Sequence, residues 1–214
     1  MLLRLSLLSV LVLLSGCSSI YYNAMEKVGF AKRDLLVSRV QDARKAQDDA
    51  KEQFSSALEQ LLLITRSDGG ELKRNYDRLN REFTRSETRA QAVREKIESV
   101  EDVAKALFRE WGNELDQYEN ASMRRRSEEQ LAATQERYET LLSLMQRAAS
   151  QMEPVLSTFR DQVLFLKHNL NARAIAGLDV TARELEADVG ALLADMERSI
   201  READDFIAQL QSEP

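Results

Sequence analysis

The sequence is poor in the residues that build cross-links and catalytic centres. Its 214 residues include one cysteine, one histidine and one tryptophan. A single cysteine excludes an intramolecular disulfide. Only two prolines and seven glycines accompany 31% charged residues, a composition that favours long helices over sheets. The net charge of −6 disfavours general binding to nucleic acid.

Motifs that carry chemistry are also missing. There is no Gly-x-x-x-x-Gly-Lys-Ser/Thr phosphate loop, no Gly-x-Ser-x-Gly elbow and no His-Glu-x-x-His zinc motif. The only histidine, His168, follows Phe165 by three residues, whereas a di-metal bundle needs Glu-x-x-His pairs. We therefore expect a protein that is not an enzyme and that binds no cofactor and no metal.

The N-terminal residues are typical of a bacterial lipoprotein. The apolar run Leu5 to Leu14 is too short to span a bilayer and ends in Leu14-Ser15-Gly16-Cys17, with small residues before the cysteine. The alternative is an ordinary signal peptide with a chance cysteine. We predict a signal in residues 1–16, a lipidated tether in residues 17–24 and a bundle in residues 25–214. Acyl chains on Cys17 would anchor the protein to a membrane.

Heptad repeats predict four long helices. Alternating steps of four and three residues define a stripe, here called the seam, that faces a partner helix. The Ser67 to Gly70 segment should end the first helix. The seam of the first helix comprises Leu36, Val40, Ala43, Gln47, Ala50, Phe54, Ala57, Leu61 and Ile64. The seam of the second comprises Leu72, Tyr76, Leu79, Phe83, Ser86, Ala90, Val93, Ile97, Val100, Ala104, Leu107, Trp111, Glu114 and Tyr118.

The repeat fails after Tyr118, which predicts a turn between Glu119 and Ser127, with a capping box beginning at Ser127. The predicted third helix ends near Ala176-Gly177, and a second capping box begins at Thr181. Pro154 should kink the third helix, with a true break as the alternative. The third seam comprises Leu131, Gln135, Tyr138, Leu142, Met145, Ala149, Met152, Leu156, Phe159, Val163, Leu166 and Leu170. The fourth comprises Leu185, Val189, Leu192, Met196, Ser199, Ala203, Phe206 and Leu210.

The predicted fold class is therefore all-α, an elongated antiparallel bundle of four long helices with coiled-coil-like heptads. Helices of about 30 to 50 residues make a rod of about 60 to 70 Å. Short connections force antiparallel neighbours, so the start of the first helix and the turn near 119–127 share one end. The run Arg124, Arg125 and Arg126 then lies beside the membrane and could contact phospholipid phosphates. Ordinary solvated turn residues are the alternative.

Two further groups have competing interpretations. The polar cluster of His168, Asn169, Asn171 and Arg173 either caps the third helix or forms a partner-binding surface at the far end. Trp111 and Glu114 lie on the second seam, where the indole N–H needs an acceptor and a buried carboxylate would need a facing cation. We expect both to fix helix register rather than to perform chemistry.

Six segments of the sequence carry a family resemblance: Cys17-Ser18-Ser19, Tyr21-Tyr22, Met25 to Gly29, Lys32 to Asp34, Ala121-Ser122 with Arg124-Arg125, and Leu166 to Ile175. Together they resemble an uncharacterised family of bacterial lipoproteins, domain of unknown function 2959. The resemblance spans essentially the whole mature chain but implies no activity, cofactor or catalytic residue. It implies a Gram-negative envelope, where Ser18 after the lipidated cysteine directs a lipoprotein to the outer membrane.

These patterns favour a non-enzymatic envelope lipoprotein, a lipid-tethered helical rod that faces the periplasm. It would bind a protein partner or another copy of itself, because heptads also mark oligomers. The alternative is a carrier or chaperone that opens to hold a lipid or an unfolded client. Met145, Met152 and the expected kink at Pro154 motivate that alternative, because methionine adapts to irregular ligands.

Overall fold

The computed structural model describes residues 32–65, 72–169 and 172–212, with the backbone alone for 172–179. The described chain forms four long helices and one short 3-10 helix. The helices are α1 (Lys32–Thr65), α2 (Leu72–Glu114), α3 (Ala121–His168) and α4 (Ala172–Ser212), and the 3-10 helix is Leu115–Gln117. The predicted class of four long helices packed against one another is confirmed.

The four helices form a closed ring. Helix α1 packs against α2 and α4, and α3 packs against the same two helices, so α2 and α4 occupy opposite corners. The first residue of α1 lies beside the last turn of α2, where Lys32 Nζ is 2.6 Å from Glu110 Oε1. Successive helices therefore run in opposite directions. With 48 residues, α3 is about 70 Å long, which sets the length of the rod.

The seams of α1 and α4 are confirmed at every predicted position. All nine predicted α1 residues are buried, including the polar Gln47, and the eight predicted α4 residues from Leu185 to Leu210 are buried as well. The two seams face each other and supply much of the core. Where the heptad positions can be assigned in only one way, they thus predict which face of a long helix is buried.

The predicted seam of α3 is wrong at alternate positions. Gln135, Leu142 and Ala149 are only half-buried, and the preceding residues Thr134, Leu141 and Ala148 are buried instead. The two residues of each adjacent pair have similar polarity. The alternating steps of three and four residues could therefore fall on either one. Burial of Thr134 is tolerated because its hydroxyl donates to the carbonyl of Gln130 at 2.8 Å within the same helix.

The predicted boundary between the second and third helices is also wrong. Glu114 and Tyr118 are exposed, and α3 begins at Ala121, so Ser127 is a buried residue inside the helix. Asn120 is the N-cap, and its Oδ1 accepts from the backbone N–H of Ser122 at 2.9 Å. Asparagine is among the best N-cap residues. The cap of α3 therefore lies well before the Ser127 box that the sequence suggested.

The connection between α3 and α4 also differs from the prediction. Helix α3 ends at His168, and α4 begins at Ala172, so Ala176, Gly177 and Thr181 lie inside α4 rather than in a turn. A glycine inside a helix costs only about 1 kcal/mol, which a long seam can offset. The Ser67 to Gly70 turn and the seam residue Leu170 lie outside the described residues.

Pro154 does not break α3. The helix runs unbroken from Ala121 to His168, and Pro154 is exposed. Proline leaves the carbonyl of residue 150 without its helical partner. Because Ser150 is also exposed, that carbonyl can bond to water. The predicted kink stays a prediction.

One polar pair lies within the core between α1 and α4. Gln47 and Ser199 are both 0% exposed, and Ser199 Oγ donates to Gln47 Oε1 at 2.9 Å. The amide Nε2 of Gln47 is buried without a hydrogen-bond partner among the described residues. An unsatisfied buried donor typically costs about 1–3 kcal/mol.

Replacing both members of this pair should stabilise the protein. We expect Gln47→Leu with Ser199→Ala to raise the free energy of unfolding by about 1–2 kcal/mol, because it removes the unpaired N–H without leaving an unpaired hydroxyl. Urea unfolding followed by circular dichroism measures the change. Gln41→Leu, on an exposed position of the same helix, is the control and should shift stability by less than about 0.5 kcal/mol. Destabilisation of the double variant would contradict the prediction.

Tyr138 of α3 packs edge-on against Phe108 of α2, with ring centroids 5.3 Å apart. Burial, reinforced by the negative charges of Glu101 and Asp102, raises the pKa of Tyr138 from 10.0 to about 12. Above about pH 10, tyrosine in the unfolded chain loses its proton while the folded chain keeps it. The contribution of Tyr138 to stability is therefore complete below about pH 10 and declines as the pH rises toward about 12.

Tyr138→Phe should remove this part of the alkaline destabilisation. Between about pH 10 and 12 the native protein should lose up to about 1.4 kcal/mol of unfolding free energy per pH unit relative to the variant. Denaturant unfolding of both proteins from about pH 8 to about pH 11 measures the difference. Parallel curves for the two proteins would show that Tyr138 does not titrate late.

Candidate functional site

One end of the rod, here called the proximal end, brings together the start of α1, the end of α2 and the start of α3. Trp111 of α2 is half-buried there, and its Nε1 donates to Ser127 Oγ of α3 at 2.8 Å. The sequence predicted that the indole would need an acceptor, and the buried serine is that acceptor. This bond joins α2 to α3 a few residues from the turn. Glu114 is exposed, and it forms no ion pair with any residue that the structure describes.

The arginine run lies at the proximal end, in the first two turns of α3, and all three side chains are exposed. Arg124 is held by two carboxylates, with Nη2 3.0 Å from Asp116 Oδ1 and Nε 2.9 Å from Glu128 Oε1. Arg125 and Arg126 make no ion pair with any residue that the structure describes. The run therefore offers two uncompensated charges rather than three.

Because Arg124 is paired and the other two arginines are not, we expect Arg125 and Arg126 to contribute more to membrane binding than Arg124. In a lipid-free form, Arg125→Gln with Arg126→Gln should weaken binding to anionic vesicles by up to about 30-fold at low salt, at about 1 kcal/mol per charge. Arg124→Gln should have a smaller effect because its charge is already neutralised. Vesicle co-sedimentation measures both. Equal binding of all variants and the native chain would show that the run is an ordinary solvated turn.

The surface of the proximal end is concave between α1, α2 and α4. One cleft, of about 450 Å³, lies along α1 and the end of α4, and a second, of about 190 Å³, lies against Trp111. Their walls mix apolar, cationic and acidic side chains. The first cleft is lined by Arg33, Asp34, Val37, Ser38, Gln41, Leu210 and Gln211.

The opposite end of the rod, the distal end, contains the predicted polar cluster. His168 is the exposed last residue of α3. Asn169 ends the helix, because its backbone N–H bonds to the carbonyl of Leu166 at 3.3 Å and its Nδ2 donates to the carbonyl of Phe165 at 3.0 Å. Asn169 thus has the capping role that the sequence suggested. The side chains of Asn171 and Arg173 lie outside the described residues.

Sequence reasoning missed a set of exposed apolar side chains toward the distal end. Leu164 and Phe165, near the end of α3, are 48% and 42% exposed. Leu63 near the end of α1 is 50% exposed, and Val180 in α4 is 65% exposed. These residues are apolar but lie off the seams, and that mismatch is the signal that could have revealed them. We call Leu164 and Phe165, with His168 beside them, the distal surface.

The described residues contain no group of three or more histidine, cysteine, aspartate or glutamate side chains that could hold a metal ion. Within residues 32–65, 72–169 and 172–212, no helix is both long enough and apolar enough to cross a membrane. The geometry thus offers surfaces at two ends of a rod and, between them, a filled core.

A comparison with protein families finds a match over most of the chain. A family model described as protein of unknown function (DUF2959) matches residues 21–210. The chain belongs to this family. The match to DUF2959 covers α1, α2, α3 and all but the last two residues of α4, and it begins after Cys17. No curated protein and no solved structure matches the chain.

Proposed function

We propose that this member of the DUF2959 family is a non-enzymatic envelope lipoprotein, a rod that is tethered by lipid on Cys17 and binds a partner at its distal end. One observation carries the proposal. Lys32 contacts Glu110 at the proximal end, so the chain that follows Cys17 enters the bundle there. Helix α1, with 34 residues, then runs about 50 Å from this point toward the distal surface.

The location follows from the sequence features around Cys17. The small residues before the cysteine fit a lipoprotein signal, and Ser18 after it fits sorting to the outer membrane of a Gram-negative cell. Two or three acyl chains hold a protein to a membrane far more firmly than one. In this proposal the rod extends from the outer membrane into the periplasm, with Arg125 and Arg126 facing the bilayer.

The distal surface supports a protein partner. Leu164 and Phe165 present apolar area beside the exposed imidazole of His168. Aromatic and aliphatic side chains with a polar rim are the usual composition at the centre of a protein interface. Asn171 and Arg173 follow directly in the sequence and stay part of the predicted partner-binding cluster.

The carrier alternative receives no specific support from the packing. Met145 and Met152 are 0% exposed and belong to the core shared by all four helices. Holding a lipid in the bundle would require the seams to separate. We therefore keep a single proposed function.

Anchoring is tested by replacing Cys17. We expect the native chain to fractionate with membranes and to carry the mass of attached acyl chains, and Cys17→Ser to lose both properties. Membrane fractionation with mass spectrometry of the purified chain measures them. A native chain without added lipid mass would rule out the tether.

Partner binding is tested by crosslinking in cells followed by affinity capture. Phe165→Glu with Leu164→Glu should lower the yield of the captured partner at least about tenfold, because charge at the centre of an interface costs several kcal/mol. Met123→Glu is the matched control, because Met123 is 52% exposed but lies at the proximal end. Equal capture by both variants would place the interface elsewhere, and no captured protein from the native chain would count against partner binding.

A further inference from the structure

The first half of α2 has a charge opposite to that of the whole chain. Residues 73–94 contain seven basic and three acidic side chains, a net charge of +4, whereas the chain carries −6. The three acids are Asp77, Glu82 and Glu87. The seven bases are Lys73, Arg74, Arg78, Arg81, Arg85, Arg89 and Arg94.

The acids of this segment are already engaged. Asp77 Oδ2 is 3.1 Å from Lys73 Nζ, and Glu87 Oε1 is 3.0 Å from Arg160 Nη2 of α3. Glu82 is half-buried and accepts from Gln53 Nε2 of α1 at 2.7 Å. Each of the three acids is therefore already paired with a neighbouring side chain.

Three of the seven bases form an outward stripe. Arg78, Arg81 and Arg85 follow one another at steps of three and four, so they share one helical face, and all three are exposed. Arg85 pairs with Glu82 at 2.9 Å. Neither Arg78 nor Arg81 makes an ion pair or a hydrogen bond with any described residue. We call these three residues the basic face.

The opposite corner of the bundle carries the complementary charge. Glu184 and Asp188 of α4 are four residues apart, exposed, and without an ion pair to any described residue. Ala187 and Ala191, also exposed, lie on the same side and leave the surface flat. We call Glu184 and Asp188 the acidic face.

The two faces lie at a similar depth along the rod. Both α2 and α4 begin at the distal end, so the number of residues from each start measures depth. The basic face lies 6 to 13 residues after Leu72, and the acidic face lies 12 to 16 residues after Ala172. Because α2 and α4 occupy opposite corners, the faces point in opposite directions.

We propose that the basic face of one chain docks on the acidic face of a second, parallel copy of this chain. The parallel orientation rests on the proposed tether, because copies anchored in one leaflet stand side by side. A contact between two different faces does not close on itself, and faces on opposite sides of a rod extend it into rows. In a parallel pair with like faces together, by contrast, the arginines would repel one another.

This docking is weak for any one pair of chains. Exposed ion pairs contribute little individually and are screened by salt. Tethering to one surface raises the effective concentration of the facing groups, so rows form on the membrane at copy numbers that leave the detached chain monomeric.

Cysteine crosslinking of the full-length chain in cells tests the docking. Thr88→Cys and Ala187→Cys are placed on differently tagged copies, because both positions are exposed, lie 16 and 15 residues from their helix starts and leave the charged faces intact. A short bismaleimide should join position 88 of one copy to position 187 of the other. The control pair, Glu52→Cys with Ser157→Cys, uses exposed positions of α1 and α3 and should give at least about tenfold less product.

Charge reversal then identifies the interaction. Arg78→Glu with Arg81→Glu, added to the copy that carries Thr88→Cys, should reduce the product about tenfold or more. Glu184→Lys with Asp188→Lys, added to the copy that carries Ala187→Cys, should do the same. Combining the two reversed copies restores opposite charges and should restore the product. Circular dichroism of each purified variant confirms that the helices are retained.

Each other outcome overturns the inference. The docking is wrong if the 88–187 product does not exceed the control, or if charge reversal does not change it. Crosslinking of position 88 to a different, acidic protein would assign the basic face to that partner instead. Membrane fractionation of the same cells reports the tether separately, so chains that are anchored but do not crosslink disprove the docking and leave the proposed function standing.

Discussion

The structure depends on one constraint: each helix has a single apolar stripe that only a closed ring can cover. A helix of 34 to 48 residues with one seam is unstable alone, because its apolar side chains stay in water unless neighbouring helices cover them. The ring of α1, α2, α3 and α4 supplies two neighbours to every helix. Residues outside the seams are then not needed for the core, so they can contact solvent, a membrane or a partner.

The sequence predicted the seams better than the ends of the helices, for a physical reason. Burial of Leu36 or Met196 is decided by a repeat that many residues reinforce, whereas a helix end is decided by one or two local bonds. Asn120 and Ser127 both have the chemistry of a cap. Asn120 caps α3, whereas Ser127 lies inside the helix and accepts a hydrogen bond from Trp111. Adjacent candidates such as Leu141 and Leu142 were likewise indistinguishable by polarity.

The candidate sites likewise divide into features that composition reveals and features that depend on contacts between helices. Sequence alone located the arginine run and the polar end of α3, because both are visible as composition. It could not show that Arg124 is already paired with Asp116 and Glu128, or that Leu164 and Phe165 remain uncovered, since both facts depend on how the helices meet. The sequence therefore predicts which residue types form a surface. Only the fold shows how much of their charge or apolar area is still available to a partner.

The buried pair of Gln47 and Ser199 has a consequence for how the bundle assembles. The α1 and α4 seams both repeat every seven residues, so sliding α4 along α1 by one heptad would again place seam residues against seam residues. Such a slip would separate the amide from its hydroxyl and bury both unpaired, a penalty of about 1–3 kcal/mol for each group. This one hydrogen bond thus favours the native alignment of α1 and α4 over the alignment shifted by one heptad, as single polar residues do in coiled coils.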